Sequence, residues 1–400
     1  MTNHPLAQGE QRPSAALHVL GRALLVLVID AAALALAYCL TNLALKIVLA
    51  AQTSEWHVLA LVALFNPKFL AILVLLPLLA GAGRLLRRLD GGTGGLQRAA
   101  ALSLVLVLPA GALFLWHEAG FSRTPNRLGF YTCRDPHVDA RGREWNPNVP
   151  EMHIVTNALG YRDEEWPTQP SVRRALLVGD SFVWGVGIVE KAGTLDARIE
   201  AELNGGRPTP RWQVVNLGEK PAGLPYYMAA LQAASEELQP EVLVLGFLRH
   251  ADDLLLDEPT LLRHRSPRFA GLLLATGVLQ DFMEFNAIAV WNSWYRELVQ
   301  ERERPELQAR FAAFLRTLEA RGTPLIVVEY DGRDPLFDPF RKHPLITWIG
   351  WSDVARQGKP WQDLPGYAVP GDGHPTELTN RAFAAVVAKR IRAVTVAEKP

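Results

Sequence analysis

Two short stretches, almost a domain's length apart, carry the residues that could do chemistry. In "LLVGDSFVWGVG" (Leu176–Gly187), Asp180 and Ser181 directly follow an aliphatic run. In "PGDGHPTELTNRAFAAVVAKRI", Asp372 and His374 sit in a Gly/Pro turn ahead of an amphipathic stretch. Acyl transfer needs a hydroxyl, an imidazole that takes its proton and returns it to a leaving group, and a carboxylate that fixes the imidazole tautomer. Neither stretch decides the matter alone, since Ser and Asp are good helix N-caps and a lone His in a turn is usually a surface residue. Together they assign Ser181 as nucleophile, His374 as general base and Asp372 as its orienting acid. This chemistry calls for no cofactor and no metal ion.

Those residues need a scaffold that brings a strand end to a distant turn. Short aliphatic runs, "ALLV" (Ala175–Val178), "QVVNL" (Gln213–Leu217), "VLVLGF" (Val242–Phe247) and "PLIVVEY" (Pro324–Tyr330), read as fully buried strands. Between them "GTLDARIEAELN", "PYYMAALQAASEEL" and "PELQARFAAFLRTLEARG" show three-and-four apolar spacing, and a further helix follows from about Glu377 to Ile391. Strand and helix in alternation predict a doubly wound α/β domain: a parallel sheet with right-handed crossovers covering both faces in three layers. In such sheets function gathers at the carboxyl ends of the strands, where Ser181 falls. "TNALGYRDEEWP" ahead of the first strand predicts a turn at Gly160 and a surface Arg162.

In order and spacing, these blocks resemble the SGNH, or GDSL-type, hydrolase superfamily. The matching features are "VGDSF" after the first strand, "VVNLGEKPAGLPYY" after the second, "VLVLGF" with its following loop, and "DGHP" before the last helix. "TNALGYRDEE" and "GVGIVEKAGTL" are similar to segments that flank the nucleophile in membrane-linked and extracytoplasmic members. The resemblance covers about Met152 to Val394 and implies the flavodoxin-like SGNH-hydrolase fold. It also implies an oxyanion hole built from the Ser181 backbone N–H, a Gly after the second strand and an Asn after the third. Gly223 is the choice over Gly218 for the Gly, with "EK" as a small insertion. The Asn is absent: "GFLRHADDLLLD" puts His250 or Arg249 there, and His250 can donate in its place.

The first hundred-odd residues are of another kind. Apolar stretches from Ala23, from His57 to Gly83 and from Ala99 to Trp116 are each long enough for a hydrocarbon core of about 30 Å, so about three helical spans are expected. Basic residues before the first and between the second and third put the N-terminus in the cytoplasm and everything after Trp116 outside, in the periplasm of a Gram-negative cell. "GGTGG" between the second and third lacks the following Gly-Lys-Ser/Thr of a phosphate cradle and reads as a linker. Asp30 and Lys68 lie within the apolar runs, either in mutual contact or reaching water. The expected organisation is a membrane region at 1–117, a connector with little regular structure at 118–150, and a hydrolase-like domain at 151–395. A helical insertion at about 258–300 reads as extra core helix, a lid, or a surface resting on the bilayer.

Lys plus Arg balance Asp plus Glu at 41 each, so no global field draws in nucleic acid. With Cys39 in an apolar segment and Cys133 outside it, no intramolecular disulfide is expected. The sequence therefore points to a membrane-anchored extracytoplasmic serine esterase acting on an acylated glycan, lipid or small ester. The same triad serves an O-acyltransferase of a cell-envelope polysaccharide, and the missing Asn leaves room for a catalytically weak binding or assembly module.

Overall fold

Five runs of aliphatic residues form one parallel sheet in the computed structural model. It describes residues 15–53, 67–89, 98, 101, 111, 126–130, 143–144, 152–153, 156–166, 171–205, 211–220, 222–249, 252–255, 257–276, 278, 293–355 and 359–396. The sheet strands are β1 (Arg173–Val178), β2 (Trp212–Asn216), β3 (Val242–Phe247), β4 (Leu325–Glu329) and β5 (Ile346–Gly350), in the order β2-β1-β3-β4-β5. All four pairings are parallel. Central β3 and β4 are buried at every residue, as continuous apolar strands must be when both faces of a parallel sheet are covered. β5 is absent from the sequence reading. "ITWIG" lies at the sheet edge with only Ile346 and Ile349 buried, too weak a pattern to separate from a loop.

Successive strand side chains point to opposite faces, and the core divides accordingly. Leu176 and Val178 join one cluster with residues of the helices Leu224–Leu238 and Ser293–Arg321. Ala175 and Leu177 join the other, with the helices Leu195–Asn204 and Glu377–Val396. The parallel α/β class is therefore as the sequence indicates.

The chain divides into two compact units, Met1–Ser122 with Arg268–Phe285, and Arg123–Pro267 with Asn286–Pro400. In the first, helix Ala15–Thr53 packs on helix Pro67–Leu89. Among the described residues one helical stretch, Ala23–Val48, is long and apolar enough to cross a membrane, and Ala71–Leu85 is a shorter apolar one. Nearly all of the expected third span, 99–116, lies outside the described residues, as does Cys133. Part of the insertion belongs with these helices: the Thr276 carbonyl accepts from Tyr38 Oη and Asn42 Nδ2. Among the described residues no ion pair joins Asp30 to Lys68. The Lys68 ammonium lies 5.8 Å from the centre of the Tyr38 ring, and Asp30 Oδ1 is buried without a hydrogen-bond partner.

The expected open connector contains a piece of core. "NRLGF" (126–130) and "NALGY" (157–161) form the same turn twice. In each, the Asn Oδ1 accepts the N–H groups two and four residues on, and its N–H donates to the aromatic residue's carbonyl. Asn126 Nδ2 joins the two turns by donating to Leu159 O at 3.0 Å. Phe130 is fully buried, edge-on to Tyr226 with ring centres 5.2 Å apart. Phe130→Ala is expected to destabilise the second unit by about 3–5 kcal/mol, the cost of truncating a buried Phe. Thermal unfolding in detergent measures this, and a change of under about 0.5 kcal/mol would mark a surface residue instead.

Candidate active site

The chain leaves β1 at Val178 and turns at once into a one-turn helix, α1 (Ser181–Trp184). Asp180, not Ser181, is its N-cap: Asp180 Oδ1 accepts the Phe182 N–H at 2.9 Å. Ser181 is therefore left to other work. Its Oγ lies 2.9 Å from His374 Nε2, and His374 Nδ1 lies 2.8 Å from Asp372 Oδ1. A carboxylate only accepts, so the Asp372 contact puts the proton on Nδ1 and leaves Nε2 to accept from the Ser181 hydroxyl. The three sequence-assigned residues meet in one hydrogen-bonded chain.

Sheet topology explains the meeting. Strand order reverses between β1 and β3, and Ser181 follows β1 at that switch point, the place where open α/β sheets bind ligands. The His374 loop is tied back on itself. Val369 N–H donates to His374 O, and the Asp372 and Gly373 N–H groups donate to Val369 O. The Tyr367 carbonyl accepts from Thr379 Oγ1 at 2.5 Å, fixing the loop to α2 (Glu377–Val396). The Phe182 ring packs beside the imidazole with centres 5.3 Å apart. His374 and Asp372 keep about a fifth of their side-chain surface exposed.

The other end of α1 rests on polar groups that the sequence reading did not single out. Asn216 Nδ2 donates to Val183 O at 3.0 Å and to Asp196 Oδ1 at 2.8 Å. Asp163 Oδ2 accepts the Asn216 N–H at 2.9 Å. Lys191 lies between Asp163 and Asp196. Burial pushes the Lys191 ammonium down, but the two carboxylates outweigh it and its pKa rises. Burial is also what raises the Asp163 carboxyl, against the pull of Lys191. Asp163 and Lys191 come from the two flanking segments, "TNALGYRDEE" and "GVGIVEKAGTL", which the fold joins here. Arg162 corrects the sequence reading: it is 2% exposed, because its guanidinium is spent on backbone carbonyls.

The oxyanion groups are assembled less completely. Among the described residues no acceptor takes the Ser181 N–H, so it is available to a ligand. Gly218 N–H donates to Asn216 Oδ1 at 2.8 Å, and a Cβ there would fall 2.5 Å from Trp184 N. Gly218 is thus a close-approach glycine beneath α1. Gly223 caps the helix Leu224–Leu238, and a Cβ there would lie 3.1 Å from Asp252 O. Burial raises Asp257 to about 7, against the Thr260 and Tyr226 N–H groups that donate to it. Arg249 directs Nε toward Asp334 Oδ2 at 3.8 Å, and His250 lies outside the described residues.

No known protein-family model matches this chain, and no curated protein matches it.

Burial raises Asp180 to about 6 from the ordinary 3.8, although the Phe182 N–H and nearby His374 pull the other way. The folded state then holds a proton that the unfolded chain releases near pH 4. Stability conferred by Asp180 relative to Asp180→Asn is full below about pH 4 and falls as pH rises to about 6, by up to about 3 kcal/mol. Melting both proteins from pH 4 to 7 tests this. A difference that does not change across the window would contradict it.

Proposed function

We propose that the chain is a membrane-anchored serine esterase of the SGNH type, with its sheet domain outside the cytoplasm and about three helical spans before it. The observation that carries this reading is the hydrogen-bonded chain Ser181–His374–Asp372 at the switch point of the sheet. Further support comes from the 2-1-3-4-5 strand order, which flavodoxin-like doubly wound sheets share, and from the order of the four sequence blocks. Helices on both faces are consistent with the three-layer SGNH arrangement. The apolar Ala23–Val48 helix supports membrane attachment.

In the proposed reaction Ser181 Oγ attacks the ester carbonyl while His374 Nε2 takes the hydroxyl proton. The negative charge that develops on the carbonyl oxygen meets the Ser181 N–H. His374 then gives its proton to the departing alkoxide, the C–O bond breaks, and the acyl group stays on Ser181. Water then attacks the acyl carbonyl as His374 takes its proton, and His374 passes that proton to Ser181 Oγ as the acyl C–Oγ bond breaks, releasing the acid and restoring Ser181. Asp372 keeps the imidazole in the required tautomer and stabilises its cation. The substrate is an acylated glycan, lipid or small ester.

A second reading, a catalytically weak binding or assembly module, is favoured by one observation. Of the two glycines after β2, Gly218 has its N–H engaged by Asn216 and so unavailable to an oxyanion. Each missing donor costs on the order of 10²–10³ in rate. In the esterase reading Gly223 N–H and His250 supply the second and third donors. An acyltransferase differs only in having a sugar hydroxyl replace water.

A fluorophosphonate probe is expected to label Ser181 alone in the detergent-solubilised protein, read by peptide mapping. His374→Ala should slow labelling by at least about 10³-fold. Folded wild-type protein left unlabelled at Ser181 would establish the module reading instead. For topology, alkaline phosphatase fused after residue 120 should be active. Activity only when the fusion is made to a cytoplasmic loop would reject the outside placement.

A further inference from the structure

We infer that Arg162 is a positioning residue of this site: its guanidinium clamps the Gly185–Val189 turn and so sets both Ser181 and His374. The inference rests on the serine-nucleophile reading above. Arg162 Nη1 donates to Gly185 O at 2.5 Å, and Nη2 to Ile188 O at 2.6 Å and Val189 O at 3.4 Å. Its carbon Cζ stands 5.2 Å from the centre of the Trp184 ring. One planar fork thereby gathers three carbonyls of a single turn, which a point-like ammonium cannot do.

That turn touches both halves of the site. Toward Ser181, the N–H groups of Gly185 and Val186 both donate to Ser181 O, at 3.0 and 2.9 Å. Toward His374, Gly187 has φ +84, and a Cβ there would lie 2.8 Å from Val369 Cγ2 and 3.7 Å from His374 Cβ. The turn is thus the wall against which the His374 loop rests. The Arg162 carbonyl also accepts from Lys191 Nζ at 2.9 Å, tying the clamp to the Asp163–Lys191–Asp196 group. A shift of the turn would alter the 2.9 Å Ser181–His374 contact from both sides without removing any group that meets substrate.

Arg162→Lys and Arg162→Met are compared with wild type in fluorophosphonate labelling of Ser181 in the full-length detergent-solubilised protein. The maximal labelling rate should fall by roughly 10²-fold while the half-saturating probe concentration stays within about twofold, since misplacement of about 1 Å costs that much. Methylguanidinium should restore Arg162→Met by roughly 10-fold or more, because it returns the fork that Lys cannot supply. Hydrogen exchange should quicken at 181–189 and 367–375 and not across β3 and β4. If Arg162→Met does not fold, Arg162→Lys decides by the same readings. The inference is overturned if both variants label within about twofold of wild type. It is also overturned if the loss is matched by faster exchange throughout the sheet and methylguanidinium restores nothing. Wild-type protein that does not label would remove the serine reading, and this inference with it. Normal wild-type labelling with silent variants would remove this inference alone.

Discussion

One helical turn cannot hold itself together. Nucleating a helix fixes several dihedrals for each hydrogen bond gained, and isolated helices shorter than about 12–15 residues are marginal. Ser181–Trp184 is four residues long, yet it sets the place of the Ser181 hydroxyl against His374. Every support around it answers that need. Asp180 caps the first turn, Asn216 takes the Val183 carbonyl, and Arg162 takes the carbonyls beyond Gly185. Gly218 lets β2's end approach the Trp184 backbone. The short helix is stable because its neighbours supply the partners that further turns would have supplied.

The supports are costly groups to bury, and each is satisfied by another. A buried charge without partners is expensive, and removing one partner of a buried pair typically costs 3–5 kcal/mol. Asp163, Lys191, Asp196 and Asn216 share one another's donors and acceptors beneath α1. Such a group holds one geometry better than an apolar filler could, since hydrogen bonds are directional. The open face is different in kind: Ser181, His374 and Asp372 retain access to solvent, and the Ser181 N–H has no acceptor among the described residues. Rigidity lies below the site and availability above it.

How much of this could be read from the sequence follows from where each signal lies. β1, β3 and β4 were legible because strands buried on both faces are unbroken apolar runs, and Ser181, Asp372 and His374 because their residue types and neighbours are unusual together. β5 was not, since "ITWIG" is half exposed at an edge. Arg162 was misread because Asp163, Glu164 and Glu165 follow it and a charged run reads as solvated. Its carbonyl partners lie 23 or more residues away. Phe130 was hidden in a Pro- and Arg-rich stretch, though the repeat of "NRLGF" in "NALGY" was a usable sign. Choosing between Gly218 and Gly223 required knowing that the Gly218 N–H is already engaged by Asn216 Oδ1, which only the folded chain shows.

In the proposed reaction Ser181 takes an acyl group from an ester with His374 as its base. The most direct measurement is an acid-quenched reaction of the full-length protein with p-nitrophenyl acetate, followed by mass spectrometry of the Ser181 peptide. One acetyl group per active chain is expected on Ser181, appearing with a burst of p-nitrophenolate and absent in His374→Ala. Steady p-nitrophenolate release with Ser181 unmodified, or an acetyl group on any other residue, would contradict it.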